Sequence, residues 1–218
     1  VGVFDLKGNS VYSSLIKTMT KQIAHRGPDS EGYYVKDNIG LGHKRLSIID
    51  TSDKGTQPMS SKDGVWTIVF NGCIYNFSEL KKELKTKGHT FISQTDTEVI
   101  CEGLSEYGEV FFEKLNGMFA IAAWNESKQE LYLSRDRFGV KPLYYWFNGN
   151  TLCFSSEIKA IIKHPDYKID VDLDALNEYF TFQNIFSFNT LFKDINMLPP
   201  ANTVKIDRSS TFVKHNSW

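Results

Sequence analysis

The sequence predicts an α+β protein in which antiparallel sheets are layered with helices. Two observations carry this. Strand-like and helix-like segments come in blocks rather than in strict alternation. The second half then runs strand, short Asn/Gly/Ser turn, strand, a pattern that pairs neighbours antiparallel. Taken in order, residues 1–6 form a short apolar run suited to a buried strand. Between residues 10 and 25, Val11, Leu15, Ile16, Met19 and Ile23 fall at helical spacing. Arg26-Gly27-Pro28-Asp29-Ser30 ends that helix in a loop, because Gly-Pro cannot continue it. Residues 32–35 and 39–49 read as strands, as do residues 65–70, which end on Asn71-Gly72. Asn76 with Glu79 makes an N-cap signature for a helix through Lys87, closed by Gly88. Thr95 with Glu98 repeats the device and opens a helix with Val99, Ile100 and Leu104 on its apolar side. Residues 118–124, 130–135, 143–147 and 152–154 read as strands, the last two joined at Asn148-Gly149-Asn150. Residues 157–163 and 172–182 read as helices, and Pro199-Pro200 introduces a last strand at 203–206. No repeat, low-complexity tract or linker interrupts residues 1–218, which therefore read as one domain.

Composition narrows the function classes. A chain of 218 residues, 41% hydrophobic and 23% charged, has enough apolar content for a sizeable core and is not of a disordered class. A formal net charge of -1 leaves no basic excess for nucleic acid or an acidic membrane. No apolar run approaches a membrane span, and the start lacks the layout of a secretory leader. The chain opens without Met directly in a strand, which reads as a trimmed or processed start. Cys73, Cys101 and Cys153 are odd in number and form no CxxC pair, which fits a reducing cytoplasm better than a disulfide or zinc framework. There is no GxxxxGK[ST], HExxH or GxSxG motif, and Gly40-Leu41-Gly42 lacks the third glycine and following helix of a dinucleotide site. No nucleotide, metal or flavin cofactor is expected in this domain.

The remaining candidates are polar residues at the ends of apolar strands and helices. Arg45 stands beside an apolar stretch, and its guanidinium suits a carboxylate held by two parallel hydrogen bonds. Asp96 begins a helix, where a carboxylate can hold an ammonium group. Asn71-Gly72 offers a side-chain amide and a backbone N–H, the two donors of an oxyanion hole. Together they suit a free α-amino acid whose side-chain carbonyl is attacked. Singly, each has a plainer reading. Arg45 alone fits a surface ion pair worth about 0–1 kcal/mol, Asp96 a helix-end charge worth roughly 0.3–1 kcal/mol, and Asn71-Gly72 a turn.

Their joint context resolves the ambiguity. Arg26-Gly27-Pro28-Asp29, Gly42-His43-Lys44-Arg45-Leu46-Ser47-Ile48-Ile49-Asp50, Phe70-Asn71-Gly72-Cys73-Ile74-Tyr75-Asn76 and Thr95-Asp96-Thr97-Glu98 occur in this order. Leu115-Asn116-Gly117-Met118-Phe119-Ala120, the segment Arg135-Asp136-Arg137-Phe138-Gly139-Val140-Lys141-Pro142-Leu143-Tyr144-Tyr145, Phe154-Ser155-Ser156-Glu157-Ile158-Lys159-Ala160 and Leu198-Pro199-Pro200 follow. The set resembles the class II glutamine amidotransferases of the asparagine synthetase B group over nearly the whole chain. That resemblance implies an N-terminal-nucleophile hydrolase fold, a four-layer αββα sandwich, with residues 1–218 as its type 2 amidotransferase domain. It implies that Arg45 binds the glutamine α-carboxylate, Asp96 the α-ammonium, and Asn71 with the Gly72 N–H the oxyanion. Leu46 and Ile48 or Ile49 would line the pocket, and the loop from Arg26 to Asp29 would close over substrate.

The nucleophile in this family is an N-terminal cysteine in a start resembling Cys-Gly-Ile-Val-Gly, of which this chain carries Val1-Gly2-Val3. The expectation is therefore a nucleophile upstream of Val1 and an inactive fragment without it. Cys73 stands where the family usually has Glu, which puts affinity at the ammonium end in doubt. Its place beside Asn71 does not by itself aim a thiol at the carbonyl, and no base is paired with it in sequence. Cys101 and Cys153 fall in core patterns. Arg135–Lys141 reads as a turn braced by Arg–Asp pairs, and none of the histidines is given a catalytic role. The implied partners are L-glutamine and a C-terminal ATP-dependent synthetase domain, which would hold ATP and Mg and take the acceptor, aspartate or another; the resemblance leaves a homodimer open. Two rival readings are a non-hydrolysing scaffold domain, as in β-lactam-synthetase-like ligases, and a glutamine-binding module without turnover.

Overall fold

A computed structural model describes residues 1–46, 53–209 and 215–217. Ile48 and Ile49, two of the expected pocket residues, lie outside the described residues.

Period-two alternation builds both sheets. One sheet orders β10 (Ile195–Met197), β8 (Tyr144–Phe147), β9 (Thr151–Ser155), β1 (Gly2–Asp5), β3 (Ile39–Arg45) and β2 (Ser30–Lys36). The other orders β12 (His215–Ser217), β11 (Asn202–Ile206), β7 (Glu130–Arg135), β6 (Gly117–Asn125), β5 (Trp66–Ile74) and β4 (Met59–Ser60). Strand pairing is antiparallel throughout the described residues. Alternate residues of each strand face opposite ways. Phe4, Ile39, Leu41, Val69, Ala122, Trp124, Leu131 and Leu133 meet between the sheets. Trp66, Ile68, Phe70, Ile121 and Tyr132 point outward from the second sheet onto α2 (Phe77–Thr86), α3 (Asp96–Tyr107) and α4 (Phe111–Lys114). On the first sheet Val3, Trp146 and Cys153 pack on α1 (Ser13–Lys21) and α5 (Ile158–Ile161). The result is helix, sheet, sheet, helix, as the resemblance implied.

Gly40 and Gly42 serve this packing. A Cβ at Gly42 would stand 2.1 Å from Thr20 Oγ1, and one at Gly40 would stand 2.6 Å from Ile16 Cγ1. These glycines let α1 lie close on β3. α6 (Leu173–Phe182) buries Ala175 and leaves Leu173, Phe180 and Phe182 exposed.

Several local expectations change. The Asn71-Gly72 pair does not end its strand: β5 continues to Ile74, with Asn71 opposite Ala120 and Gly72 opposite Phe119. The ladder with β6 overrides the turn preference of Asn-Gly, and Gly72 permits it, since a Cβ there would come 2.0 Å from Met118 O. Thr95 caps α3 as expected, accepting from the Glu98 N–H at 3.2 Å. Glu98 itself reaches past the cap and accepts from the Ile92 and Ser93 N–H groups, each at 2.8 Å. Asn76 precedes α2 but makes no side-chain cap. It donates to Lys114 O and accepts from the Asn116 N–H, both at 2.9 Å, tying the start of α2 to the approach to β6. The short strands β4, β10 and β12 and the helix α4 had no sequence signal long enough to be read.

Candidate functional site

The polar site residues continue rows that begin in the core. Along β3 the inter-sheet side carries Ile39, Leu41, His43 and Arg45, apolar at depth and polar at the strand end. Along β5 the corresponding row is Val69, Asn71 and Cys73. The rows end together at one open edge of the sandwich, where the first turn of α3 brings Asp96. Arg45, Leu46, Asn71, Gly72, Cys73 and Asp96 thus line one cleft of about 340 Å³. A smaller pocket of about 90 Å³ adjoins it through Arg26, His43, Lys44, Phe70 and Asn71 and reaches Val1 and Ser156.

Arg45 is 8% exposed, which removes the surface-ion-pair reading. Its guanidinium lies against Gly55, where a Cβ would come 2.3 Å from Nη2. Asp96 is 5% exposed, and its Oδ2 accepts from the Ile74 N–H at 3.0 Å. Burial pushes the Asp96 carboxyl above the usual aspartate value, while backbone donors from Ile74 and Thr97 pull the other way. A buried carboxylate at a helix N-terminus and a buried guanidinium that line the same cleft suit a zwitterion. Asn71 Nδ2 donates to Ser156 Oγ at 3.5 Å, a long bond that leaves the amide directed across the inter-sheet end. Burial, then the Asp96 charge, pushes the half-buried Cys73 thiol up, so Cys73 is a neutral thiol at neutral pH. That is the opposite of what a nucleophile needs. Cys101 and Cys153 are fully buried and their thiols are pushed up by desolvation, in keeping with core positions.

The loop after α1 is moored rather than loose. Arg26 Nη1 donates to Glu157 Oε1 at 3.0 Å, and the Asp29 N–H donates to Arg45 O at 3.1 Å. The segment after β7 is braced through backbone groups, with the Asp136 charge also favouring the Arg135 guanidinium. Arg135 donates to the carbonyls of Lys141, Leu198 and Gly139 at 2.8, 2.6 and 2.6 Å. Asp136, fully buried, accepts from the N–H groups of Phe119, Phe138, Val140 and Lys141 at 2.9–3.1 Å. This turn carries Lys141 to the cleft wall. Sequence reading missed Lys141, Lys44, Gln57 and His43 as cleft residues; their only signal was membership of the quoted motifs or nearness to them.

A family profile described as a glutamine amidotransferase domain matches residues 1–218. The chain belongs to that family. It is 41% identical over 217 residues to asparagine synthetase 1 (glutamine-hydrolyzing) of Bacillus subtilis, covering 97% of this chain and 34% of that protein. It is 39% identical over 193 residues to asparagine synthetase 3 of the same organism, covering 87% of this chain and 31% of the other. The chain therefore spans about a third of the length of these curated relatives. Among solved structures, the glutamine phosphoribosylpyrophosphate amidotransferase of B. subtilis superposes with a TM-score of 0.70 at 18% identity, covering 99% of this chain and 48% of that one. That likeness shows the amidotransferase fold. No helix among the described residues is long and apolar enough to cross a membrane.

Proposed function

We propose that this chain is the glutaminase domain of a glutamine-hydrolysing asparagine synthetase, releasing ammonia for an acceptor such as aspartate. The register of β1 on β3 carries the reading. Gly2 pairs with Leu41, and the Val1 nitrogen donates to Gly42 O at 2.9 Å. Continued in the same count, residues preceding Val1 would fall in turn opposite His43, Lys44 and Arg45. In the start Cys-Gly-Ile-Val the cysteine would then stand opposite Arg45. Phe4 faces the inter-sheet core, and Gly2 lies on the same side by alternation, so the cysteine side chain would face the cleft as well.

On this reading Arg45 holds the α-carboxylate through a bidentate, charge-assisted pair. Asp96 holds the α-ammonium, with Cys73 beside it as a neutral thiol. Leu46 supplies apolar wall. The α-amine of the cysteine, with a reference pKa of about 7.7–8.0, takes the proton of its own thiol. The thiolate attacks the γ-carboxamide carbon, the oxyanion lies on Asn71 Nδ2 and the Gly72 N–H, and the cysteine α-ammonium gives its proton to the amide nitrogen, which leaves as ammonia. Water then hydrolyses the thioester to glutamate. The chain's share of its relatives' length supports placing ATP, Mg and the acceptor on a further domain. The free cysteines support a cytoplasmic setting. A scaffold domain would have no use for buried Arg45 and Asp96 facing one cleft.

Glutamate release from glutamine by the protein with its native N-terminus tests the proposal. Turnover is expected, with KM raised at least about 10-fold in Arg45→Ala. No release, or an unchanged KM in that variant, would defeat it.

A further inference from the structure

Two side chains converge on the backbone of one residue, Phe70, directly before Asn71. The register Met59↔Ile68 places position 57 opposite Phe70, but β4 has ended there. The Gln57 side chain takes the place of the missing strand: its Oε1 accepts from the Phe70 N–H at 2.6 Å. The Phe70 carbonyl, which belongs to the next peptide group, the one joined to Asn71, accepts from His43 Nε2 at 3.2 Å. A carbonyl only accepts, so Nε2 carries the proton. Burial, and after it the charges of the Val1 nitrogen and of Arg45, push the His43 imidazole below the usual histidine value. The ring is therefore neutral, and its donor persists, across the physiological range.

Both side chains also reach the two ends of the cleft. Gln57 Nε2 donates to Thr97 Oγ1 at 3.2 Å, one residue beyond Asp96. His43 lies on β3 two residues before Arg45. The backbone of Phe70 is thus tied, through the peptide groups on its two sides, to the strand bearing Arg45 and to the helix end bearing Asp96. We propose that Gln57 and His43 are positioning residues, fixing the Asn71 and Gly72 donors relative to Arg45 and Asp96; this rests on the glutaminase reading. Neither touches the reacting atoms. Their effect falls on the step in which the oxyanion forms, because donors that act in the transition state govern kcat.

Steady-state glutamate release, measured on the protein with its native N-terminus, tests the clamp. His43→Leu and Gln57→Leu are expected to lower kcat on the order of 100-fold, with KM for glutamine held within about 3-fold. His43→Gln places an amide N–H near the position of Nε2 and is expected to recover kcat to within about 5-fold, with the pH profile keeping its shape. The double variant should be no worse than the weaker single variant by more than about 3-fold, since both hold the backbone of the same residue. Should the leucine variants fail to fold, His43→Gln and Thr97→Val decide. Thr97→Val keeps the side-chain shape, removes the anchor of Gln57 and is expected to lower kcat about 10-fold. Losses that appear in KM, that multiply in the double variant, or that His43→Gln and Thr97→Val do not follow as stated would overturn the clamp in an active enzyme. A wild type that neither binds glutamine nor releases glutamate would overturn the glutaminase reading and the clamp with it.

Discussion

Replacing Asp96 by Asn separates binding from stability. Asp96 accepts from the Ile74 N–H at 3.0 Å and is 5% exposed. Asn retains an acceptor oxygen for that N–H, so the local hydrogen bond survives. What is lost is the charge and the second acceptor oxygen. A hydrogen bond to a charged partner is worth about 1.5–3 kcal/mol, which at about 1.4 kcal/mol per decade weakens glutamine binding roughly 10- to 150-fold. Stability should move the other way or scarcely at all. Burial raises the Asp96 carboxyl, so the folded protein carries its charge at a cost, set against a helix-dipole gain of roughly 0.3–1 kcal/mol. The sign follows from linkage. Between the ordinary aspartate value and the raised folded value the folded state binds more protons, so stability falls as pH rises through that window and is level above it. Asp96→Asn removes this slope. Isothermal titration with L-glutamine and thermal melts at matched pH read both effects. In the wild type, affinity should also fall as pH drops through the raised Asp96 value, where the carboxyl loses its charge. A Kd unchanged in Asp96→Asn, or a Kd loss matched by collapse of the melt, would refute the assignment.

Other perturbations give equally direct readings. Gly72→Ala would set a Cβ 2.0 Å from Met118 O; forcing β5 from β6 should cost about 1–3 kcal/mol in urea unfolding and weaken glutamine binding in the same titration. Asp136→Ala strips the acceptor from four backbone N–H groups and should lower stability by about 3 kcal/mol or more, with increased amide exchange across residues 137–141. His89 bridges Glu102 at 2.8 Å and Glu106 at 3.1 Å. Burial lowers its pKa, but the two carboxylates outweigh it and the net shift is upward. Its contribution is therefore fully present below the ordinary histidine value and lost as pH rises through the folded value. Melts of wild type and His89→Ala should differ most below the ordinary histidine value and converge as pH rises through the raised folded value.

What the sequence determined by itself is local. Ile16 and Met19 of the stripe became the buried face of α1, with Ile23 buried just past its end, and Thr95 capped α3, because each depends on residues a few positions apart. The same locality misled at Asn76, whose amide found Lys114 and Asn116 instead of its own helix. At Asn71-Gly72 the partner strand β6 turned a turn dipeptide into ladder. The residues of the cleft were legible as a set only through the motifs they belong to. That Arg45 and Asp96 are buried, and that Gln57 and His43 grip the Phe70 backbone between them, was decided by tertiary structure alone. Those contacts join β3, β5 and the start of α3 across separations of 27 residues for His43–Phe70 and 40 for Gln57–Thr97. Burial and long-range hydrogen bonding are properties of the assembled layers, and no window along the chain contains them.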